Sequence, residues 1–196
     1  KELNYGNTMN GMKTFTVASA MVLAGLFSLA TLAPASANDS YQTSAMPLSK
    51  ADFSLSINGQ SIALGDKWDE DVPSRLGPSL SDNFVGDVVF DDESYKFYQH
   101  HYEKWDLYTS NLWWDKADRD FDDYIVAQIT FSSTAMKTHR GAFIGMSVED
   151  IKKRYGEGQH QQNDDGEWLF YLLGKKRLSF DIAAGKITAV TLSYDN

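Results

Sequence analysis

One arrangement of residues occurs twice in this chain of 196 residues, about 80 positions apart, and it restricts the fold more than any other feature. Leu64-Gly65 corresponds to Ile144-Gly145, and the segment Arg75 to Gly77 corresponds to Arg154 to Gly156. Within each copy acidic residues come early, basic residues come late and a glycine follows, which is the order that a helix dipole and a left-handed C-cap favour. Each copy is therefore predicted to contain a short helix.

The second copy has the clearer helix signal. Ser147 and Asp150 have the spacing of a capping box, in which each side chain accepts a hydrogen bond from a backbone N–H group at the helix start. Val148, Ile151 and Tyr155 fall on one helical face. The pattern predicts a helix over 147–155.

Strand-like alternation of apolar and polar residues follows each helix. It covers 95–102, 105–110 and 129–132 in the first copy and 168–173, 176–182 and 190–193 in the second, and a hairpin is predicted around Asn58-Gly59. Each copy is therefore predicted to be a helix followed by a three-stranded antiparallel meander. The fold class is predicted to be α+β, with two tandem helix-plus-meander units in a two-layer α/β sandwich whose helices cover one face of the sheet.

The N-terminal part of the chain has the three features of a secretory signal. Met12-Lys13 precedes an apolar stretch from Phe15 to Leu32, and the small-residue site Ala35-Ser36-Ala37 follows. A membrane anchor is the alternative interpretation, because an apolar run of about 18 residues approaches the length that spans a bilayer. The A-x-A site, with no basic cluster after it, favours cleavage after Ala37.

These observations predict the organisation of the whole chain. Residues 1–37 are assigned to upstream residues and the signal peptide, 38–51 to a flexible leader, 52–131 to the first α+β unit, 132–138 to a linker and 139–196 to the second unit. The product is predicted to be periplasmic or secreted, with no stable membrane anchor after signal cleavage.

Composition excludes several classes of protein. The chain has no cysteine, so it has no disulfide, thiol nucleophile, cysteine-ligated metal or lipid-bearing N-terminal cysteine. Its formal net charge of −9, without a basic cluster, argues against a nucleic-acid partner.

The helix motif resembles that of a known family. Gly145-Met146-Ser147, Asp150-Ile151 and Tyr155-Gly156 are similar to the helix motif of the BamE/SmpA envelope family. Two such units in tandem resemble the beta-lactamase inhibitory protein and related exported bacterial proteins, and Thr138 to Gly141 is similar to the T-x-R-G segment of many such proteins. The resemblance implies their architecture and a binding role.

Patterns for catalysis and metal binding are weak. His100 and His101 are adjacent in a predicted strand, so their side chains point to opposite faces. From Asp118 onwards the carboxylates resemble a calcium loop, but Asp123 replaces the turn glycine and Ile129 replaces the bidentate glutamate. A plain charged loop and weak calcium binding both stay open there. With no G-x-S-x-G elbow and no glycine-rich phosphate loop, the chain is predicted to be non-enzymatic, without cofactor or metal.

The candidate binding residues are aromatic and acidic. The segment 111–123 is longer than a meander needs, because the second copy turns with Ala183 to Gly185 alone. The predicted partner-binding residues are Trp113, Trp114, Asp115, Asp118 and Asp120 in this segment, with Tyr98 and Tyr108 on the strands before it. The two indoles could instead cap the sheet edge or the core.

These residues predict an exported, non-enzymatic protein-binding module, an inhibitor or a cell-envelope accessory protein, whose partner is an envelope protein or a secreted enzyme. The alternative is a protein that binds a small ligand or a carbohydrate through exposed aromatic side chains.

Overall fold

The computed structural model describes residues 45–90, 92–112, 114 and 122–195. A 3-10 helix (Lys50–Phe53) and a hairpin of β1 (Ser54–Ile57) and β2 (Gln60–Ala63) come first. The helix α1 (Asp71–Leu76) is followed by β3 (Ser81–Phe90), β4 (Glu93–His101), β5 (Trp105–Ser110) and β6 (Ile125–Phe131). The helix α2 (Val148–Tyr155) is followed by β7 (Gln159–Asn163), β8 (Gly166–Leu173), β9 (Lys176–Ala183) and β10 (Lys186–Tyr194).

Eight of these strands form one antiparallel sheet in the order β3-β4-β5-β6-β10-β9-β8-β7, while β1 and β2 form a separate two-stranded sheet. The two halves of the large sheet meet where β6 pairs with β10, with Ile129 opposite Leu192 and Phe131 opposite Val190. Because these four side chains are buried, the junction between the halves is part of the hydrophobic core.

Most of the core lies on one face of the large sheet, which we call the covered face. A smaller cluster of Tyr95, Phe97, Leu112 and Ala127 includes buried side chains of β4 that point to the opposite face. Leu107, Ile129 and Leu192 from the sheet pack in one cluster with Ile62 of the hairpin and Ile151 of α2. All five side chains are at most 2% exposed. The helices and the hairpin therefore occupy the same side of the sheet.

The predicted two-layer α/β sandwich of tandem helix-plus-meander units is wrong. The described residues are mostly β, with 52% in strands and ten strands in two antiparallel sheets. The helix α1 has six residues and α2 has eight. Such short helices do not form a layer over an eight-stranded sheet, and the hairpin and the 3-10 helix contribute to covering it.

The sequence pattern also missed two strands, so each half of the large sheet has four strands where three were predicted. In β3 the alternation is interrupted by a register shift between Phe84 and Gly86. In β7 all five residues are polar, Gln159–Asn163, so no apolar alternation exists to be seen. Both strands are at the edges of the sheet, where burial of only part of the strand weakens the periodic signal.

The predictions for α2 and for the first hairpin are confirmed. The Ser147 side chain accepts a hydrogen bond from the backbone N–H of Asp150, and α2 ends before Gly156, whose φ of 90° favours glycine. In the hairpin, Ile57 lies opposite Gln60 across the Asn58-Gly59 turn.

Arg140 connects three separate parts of the chain. Its Nη1 donates to the carbonyl oxygens of Met46, at 2.7 Å, and Arg154, at 2.9 Å, while Nη2 donates to that of Pro47 at 2.8 Å. Nε and Nη2 also donate to the two carboxylate oxygens of Asp52, at 2.7 and 2.8 Å. The first described residues are thereby held against the C-terminal end of α2.

Burial raises the pKa of Asp52. Hydrogen bonds from the Arg140 side chain and the Ser49 backbone lower this pKa, as does the positive charge of Arg140. The lowering effects are larger, so the pKa of Asp52 lies below its usual value. The T-x-R-G segment thus has a structural role. Thr138 contributes to the same region, since its Oγ1 accepts hydrogen bonds from the Tyr155 hydroxyl at 2.8 Å and the Ala142 backbone at 2.9 Å.

The apolar stretch 15–32 and the predicted cleavage site after Ala37 lie outside the described residues. Within the described ranges, no helix has the length and apolar character needed to cross a membrane.

Candidate functional site

The second face of the large sheet, which we call the polar face, carries the side chains that alternate with the core positions along each strand. On β5, for example, Asp106 and Tyr108 flank the fully buried Leu107. On β6, Gln128 and Thr130 flank the fully buried Ile129. The described helices and hairpin contribute their core residues to the covered face, so the part of the polar face away from the buried Tyr95 and Phe97 is the candidate recognition surface.

Two rows of side chains cross this face, and in each row neighbouring residues lie directly opposite each other on adjacent strands. The first row consists of Asn83, Gln99, Tyr108, Gln128, Ser193, Arg177 and Leu172. The second row consists of Ser81, His101, Asp106, Thr130, Thr191, Ser179, Phe170 and Gln159. Together the rows span all eight strands.

The middle of the polar face is made of small hydroxyl and amide groups. The Oγ1 atoms of Thr130 and Thr191 are 3.1 Å apart across the junction of the two halves. Nε2 of Gln128 donates to Oγ1 of Thr130 at 3.1 Å. These bonds pair the hydroxyl and amide groups of Gln128, Thr130 and Thr191 with one another. We call this central part of the polar face the floor. Its hydroxyl and amide groups can exchange these bonds for hydrogen bonds to a partner.

Larger side chains stand on both sides of this floor. Tyr108 is on one side, and on the other the Arg177 guanidinium lies 3.7 Å from the centre of the Phe170 ring. Arg177 also donates to Asp195 at 3.2 Å. Tyrosine and arginine are the residue types that most often dominate the energy of protein interfaces. Their fixed positions on a sheet reduce the entropy that binding would cost.

The polar groups near Tyr108 form a network. Oδ1 of Asp106 accepts a hydrogen bond from Gln99 at 3.0 Å and lies 2.7 Å from Nδ1 of His101. Burial raises the pKa of Tyr108, and the negative charge of Asp106 raises it further. The Tyr108 hydroxyl is consequently protonated at neutral pH and can donate a hydrogen bond to a partner.

The structure places the two predicted strand tyrosines on opposite faces. Tyr108 pairs with Gln99, the residue that follows Tyr98 along β4, so Tyr98 points to the other side of the sheet. The Tyr98 ring centre is 5.3 Å from that of Phe84 and 5.6 Å from that of Tyr124. The two tyrosines therefore cannot belong to one flat binding surface.

Trp114 is the one predicted loop residue that the structure describes, since Trp113, Asp115, Asp118 and Asp120 lie outside the described residues. Its ring is stacked on Tyr194, with centres 4.5 Å apart and planes 4° from parallel, and it meets Phe97 edge-on at 6.2 Å. Trp114 is partly buried and packs against the core. This geometry fits the interpretation in which the indole caps the sheet.

Sequence reasoning missed the residues of the second half, including Arg177, Phe170 and Thr191. Their places on one face followed from the predicted strands over 168–173, 176–182 and 190–193. The pairing of β6 with β10, which puts them beside Tyr108 and Thr130, has no local sequence signal because it joins distant segments.

The described residues give little support to a metal or small-molecule site. They contain no group of three or more histidine, aspartate and glutamate side chains arranged to hold an ion. A cavity of about 220 Å³ lies at the turn between β4 and β5, lined by His101, Tyr102, Lys104 and neighbouring residues. That volume is below the range of about 300 to 1,000 Å³ typical of ligand pockets.

Comparison of the chain with family models, curated proteins and solved structures gives no match, so the functional argument rests on the geometry of the polar face.

Proposed function

We propose that this protein is an exported, non-enzymatic binding protein that recognises a folded partner protein with the polar face of its sheet, as an inhibitor or a cell-envelope accessory protein. The observation that carries the proposal is the pair of side-chain rows that together cross all eight strands, with Tyr108 and Arg177 on either side of a floor of small polar residues. Such a floor accepts a protruding element of a partner, and the flanking side chains supply contact area.

The dimensions of the polar face support a protein partner. Eight strands at a spacing of about 4.8 Å give a width of about 34 Å, and six residues along a strand add about 20 Å. The resulting area of about 700 Å² includes the ends of β4 and β5 where Phe97 and Ser110 are buried, so the accessible part is smaller than the 800 Å² or so that each partner buries in a standard protein interface. A single small ligand would cover a small part of this surface.

A carbohydrate ligand is the second candidate. Trp168 and Phe170 of β8 are partly exposed and lie on the polar face beside the hydroxyl of Ser179 and the carboxylate of Asp181. Aromatic faces next to hydrogen-bonding groups suit the apolar and polar sides of a sugar ring. A glycan array with the mature chain tests this candidate, and binding that Trp168→Ala abolishes would favour it.

The protein-binding proposal is tested by capture of a partner from an envelope extract and measurement of its affinity. Tyr108→Ala and Arg177→Ala are each expected to weaken binding by about 2 kcal/mol, the size of an interface hot spot. Two matched controls lie away from the polar face. Tyr98→Ala removes a tyrosine from the opposite face of the same sheet, and Arg75→Ala removes an exposed arginine from α1.

Retention of full affinity by both polar-face variants would contradict the proposal. A loss of affinity in Tyr98→Ala equal to that in Tyr108→Ala would place the interface on the other side of the sheet.

A further inference from the structure

The two edges of the large sheet differ in length and in composition. The edge strand β7 has five residues, all of them polar, and is therefore a poor template for another strand. The edge strand β3 has ten residues, Ser81–Phe90, with no lysine, arginine or proline. In the described part of the chain β3 pairs with β4 alone, so its other side has backbone N–H and C=O groups without a strand partner.

One face of β3 alternates acidic and apolar side chains. These four residues lie opposite every second residue of β4 and so share a face: Asp82, Phe84, Asp87 and Val89. Phe84 is 54% exposed and Val89 is 70% exposed, both unusually high for large apolar side chains in a sheet. On this face the apolar side chains of Phe84 and Val89 alternate with the carboxylates of Asp82 and Asp87. A strand added at this edge would therefore find two apolar contacts.

The charges of this edge determine which strand would fit. Asp82 binds Nδ1 of His100 at 2.7 Å, and Asp87 lies opposite Lys96, so both carboxylates have basic groups on the inner side, towards β4. The strand itself contributes two carboxylates and no positive charge to the outer side. An incoming strand with basic side chains at these positions would pair with carboxylates across the new ladder.

Side-chain contacts on both faces of β3 hold this edge strand against the rest of the sheet. On the other face of β3, Val85 and Val88 pack against the cluster of Tyr95, Phe97 and Leu112. The Phe84 ring contacts Tyr98, whose ring in turn contacts Tyr124. The edge is held in an extended conformation before any partner arrives, which lowers the entropic cost of strand addition.

We propose that the open edge of β3 is a second interaction site, distinct from the centre of the polar face, which binds an extended basic peptide segment by addition of a ninth antiparallel strand to the sheet. Backbone hydrogen bonds to β3 supply the affinity. Phe84 and Val89 select apolar side chains, and Asp82 and Asp87 select lysine or arginine at alternate positions. The register shift beside Gly86 divides the edge into two short segments, so a bound peptide need match only one of them.

The test uses isotope-labelled mature protein and the acetylated, amidated peptide KTVTKTVT as the probe, in which lysine and valine alternate on one face of the strand. Amide hydrogen exchange and chemical-shift mapping measure the binding. We expect slower exchange for amides of Ser81–Phe90 with this peptide. No change is expected with ETVTETVT, nor with a KTVTKTVT peptide that is N-methylated at alternate residues and cannot complete the ladder.

Charge variants distinguish this edge from general electrostatic attraction. The double variant Asp82→Asn and Asp87→Asn is expected to weaken binding of KTVTKTVT by about tenfold, the combined effect of two exposed ion pairs of ordinary strength. The matched control, Asp164→Asn with Asp165→Asn, removes the same charge from the exposed turn between β7 and β8 and is expected to bind normally.

Three outcomes would overturn the proposal. They are equal binding of the acidic and basic peptides, the absence of protection in β3 at millimolar peptide, and protection of β3 that grows with protein concentration alone. The last result would assign the edge to a second copy of this chain. Because the peptide assay measures protection of the β3 edge and depends on neither Tyr108 nor Arg177, its failure can be distinguished from failure of the partner-capture experiment.

Discussion

Arg140 and Asp52 form a bidentate ion pair, with N–O distances of 2.7 and 2.8 Å, between positions 88 residues apart in the chain. Asp52 has a completely buried side chain and Arg140 is 12% exposed. The same guanidinium holds the backbone of Met46 and Pro47. One side chain thus links the leader, the 3-10 helix and α2.

Removal of the Asp52 carboxylate should be strongly destabilising. Asp52→Ala leaves the Arg140 charge poorly solvated and without its partner, and we expect a loss of about 3 kcal/mol in the free energy of unfolding. Denaturant titration gives the value. Lys153→Ala is the control, because it breaks the exposed Lys153–Asp150 pair and should cost less than about 0.5 kcal/mol. Equal effects of the two substitutions would show that the buried pair contributes no special stability.

The free energy of unfolding should also depend on pH, through the carboxylate of Asp52. The folded-state pKa of Asp52 is below its usual value, so the unfolded chain takes up the proton more readily than the folded protein as pH falls. The contribution is complete above the unfolded pKa of about 4 and is lost as pH falls through the folded value. We expect the stability difference between the wild type and Asp52→Asn to shrink below about pH 4. A difference that stays constant down to pH 2 would contradict this linkage.

Trp114 should contribute to stability because its indole stacks on Tyr194 and packs against both hydrophobic clusters. Trp114→Ala is expected to cost about 2 kcal/mol, less than for a fully buried tryptophan since the side chain is partly exposed. Trp114→Phe keeps much of the stacking and should cost about half as much. Unchanged melting temperatures for both variants would show that the indole is dispensable for folding.

The sequence was sufficient for features that depend on neighbouring residues. The cap at Ser147, the glycine after Tyr155 and the turn at Asn58 are local choices, and each lies where it was predicted. The fold class was not predictable in the same way, because strand β7 contains only polar residues and β3 is interrupted beside Gly86. Edge strands are stabilised by pairing with a neighbour, which local periodicity does not record.

In the candidate site, too, the sequence identified a single residue but not its position relative to residues from the other half of the sheet. Tyr108 was selected from the sequence, and it lies on the polar face. Its relation to Arg177 depends on the pairing of Gln128 with Ser193 across β6 and β10, which only the tertiary structure supplies. Tyr98 was selected from the sequence for the same reason as Tyr108. It lies opposite Thr109, the residue after Tyr108, and therefore points to the opposite face of the sheet.

A large charged side chain in the middle of the polar face should block a protein partner while the fold persists. Thr191 lies in the second row, between Thr130 and Ser179, and is partly exposed, so the side chain in Thr191→Arg can extend over the sheet. We expect binding of the captured partner to fall by more than tenfold, since the arginine occupies the shallow floor. The loss of the Thr130 hydrogen bond should cost only about 1 kcal/mol in stability.

The matched control for this substitution is Ser74→Arg, which places the same side chain on an exposed position of α1, on the covered side of the sheet. Circular dichroism and thermal unfolding show whether each variant keeps the native fold, and titration calorimetry measures affinity. If Thr191→Arg retains full affinity while Ser74→Arg loses it, the partner binds on the side of the helices and the polar face is not the recognition surface.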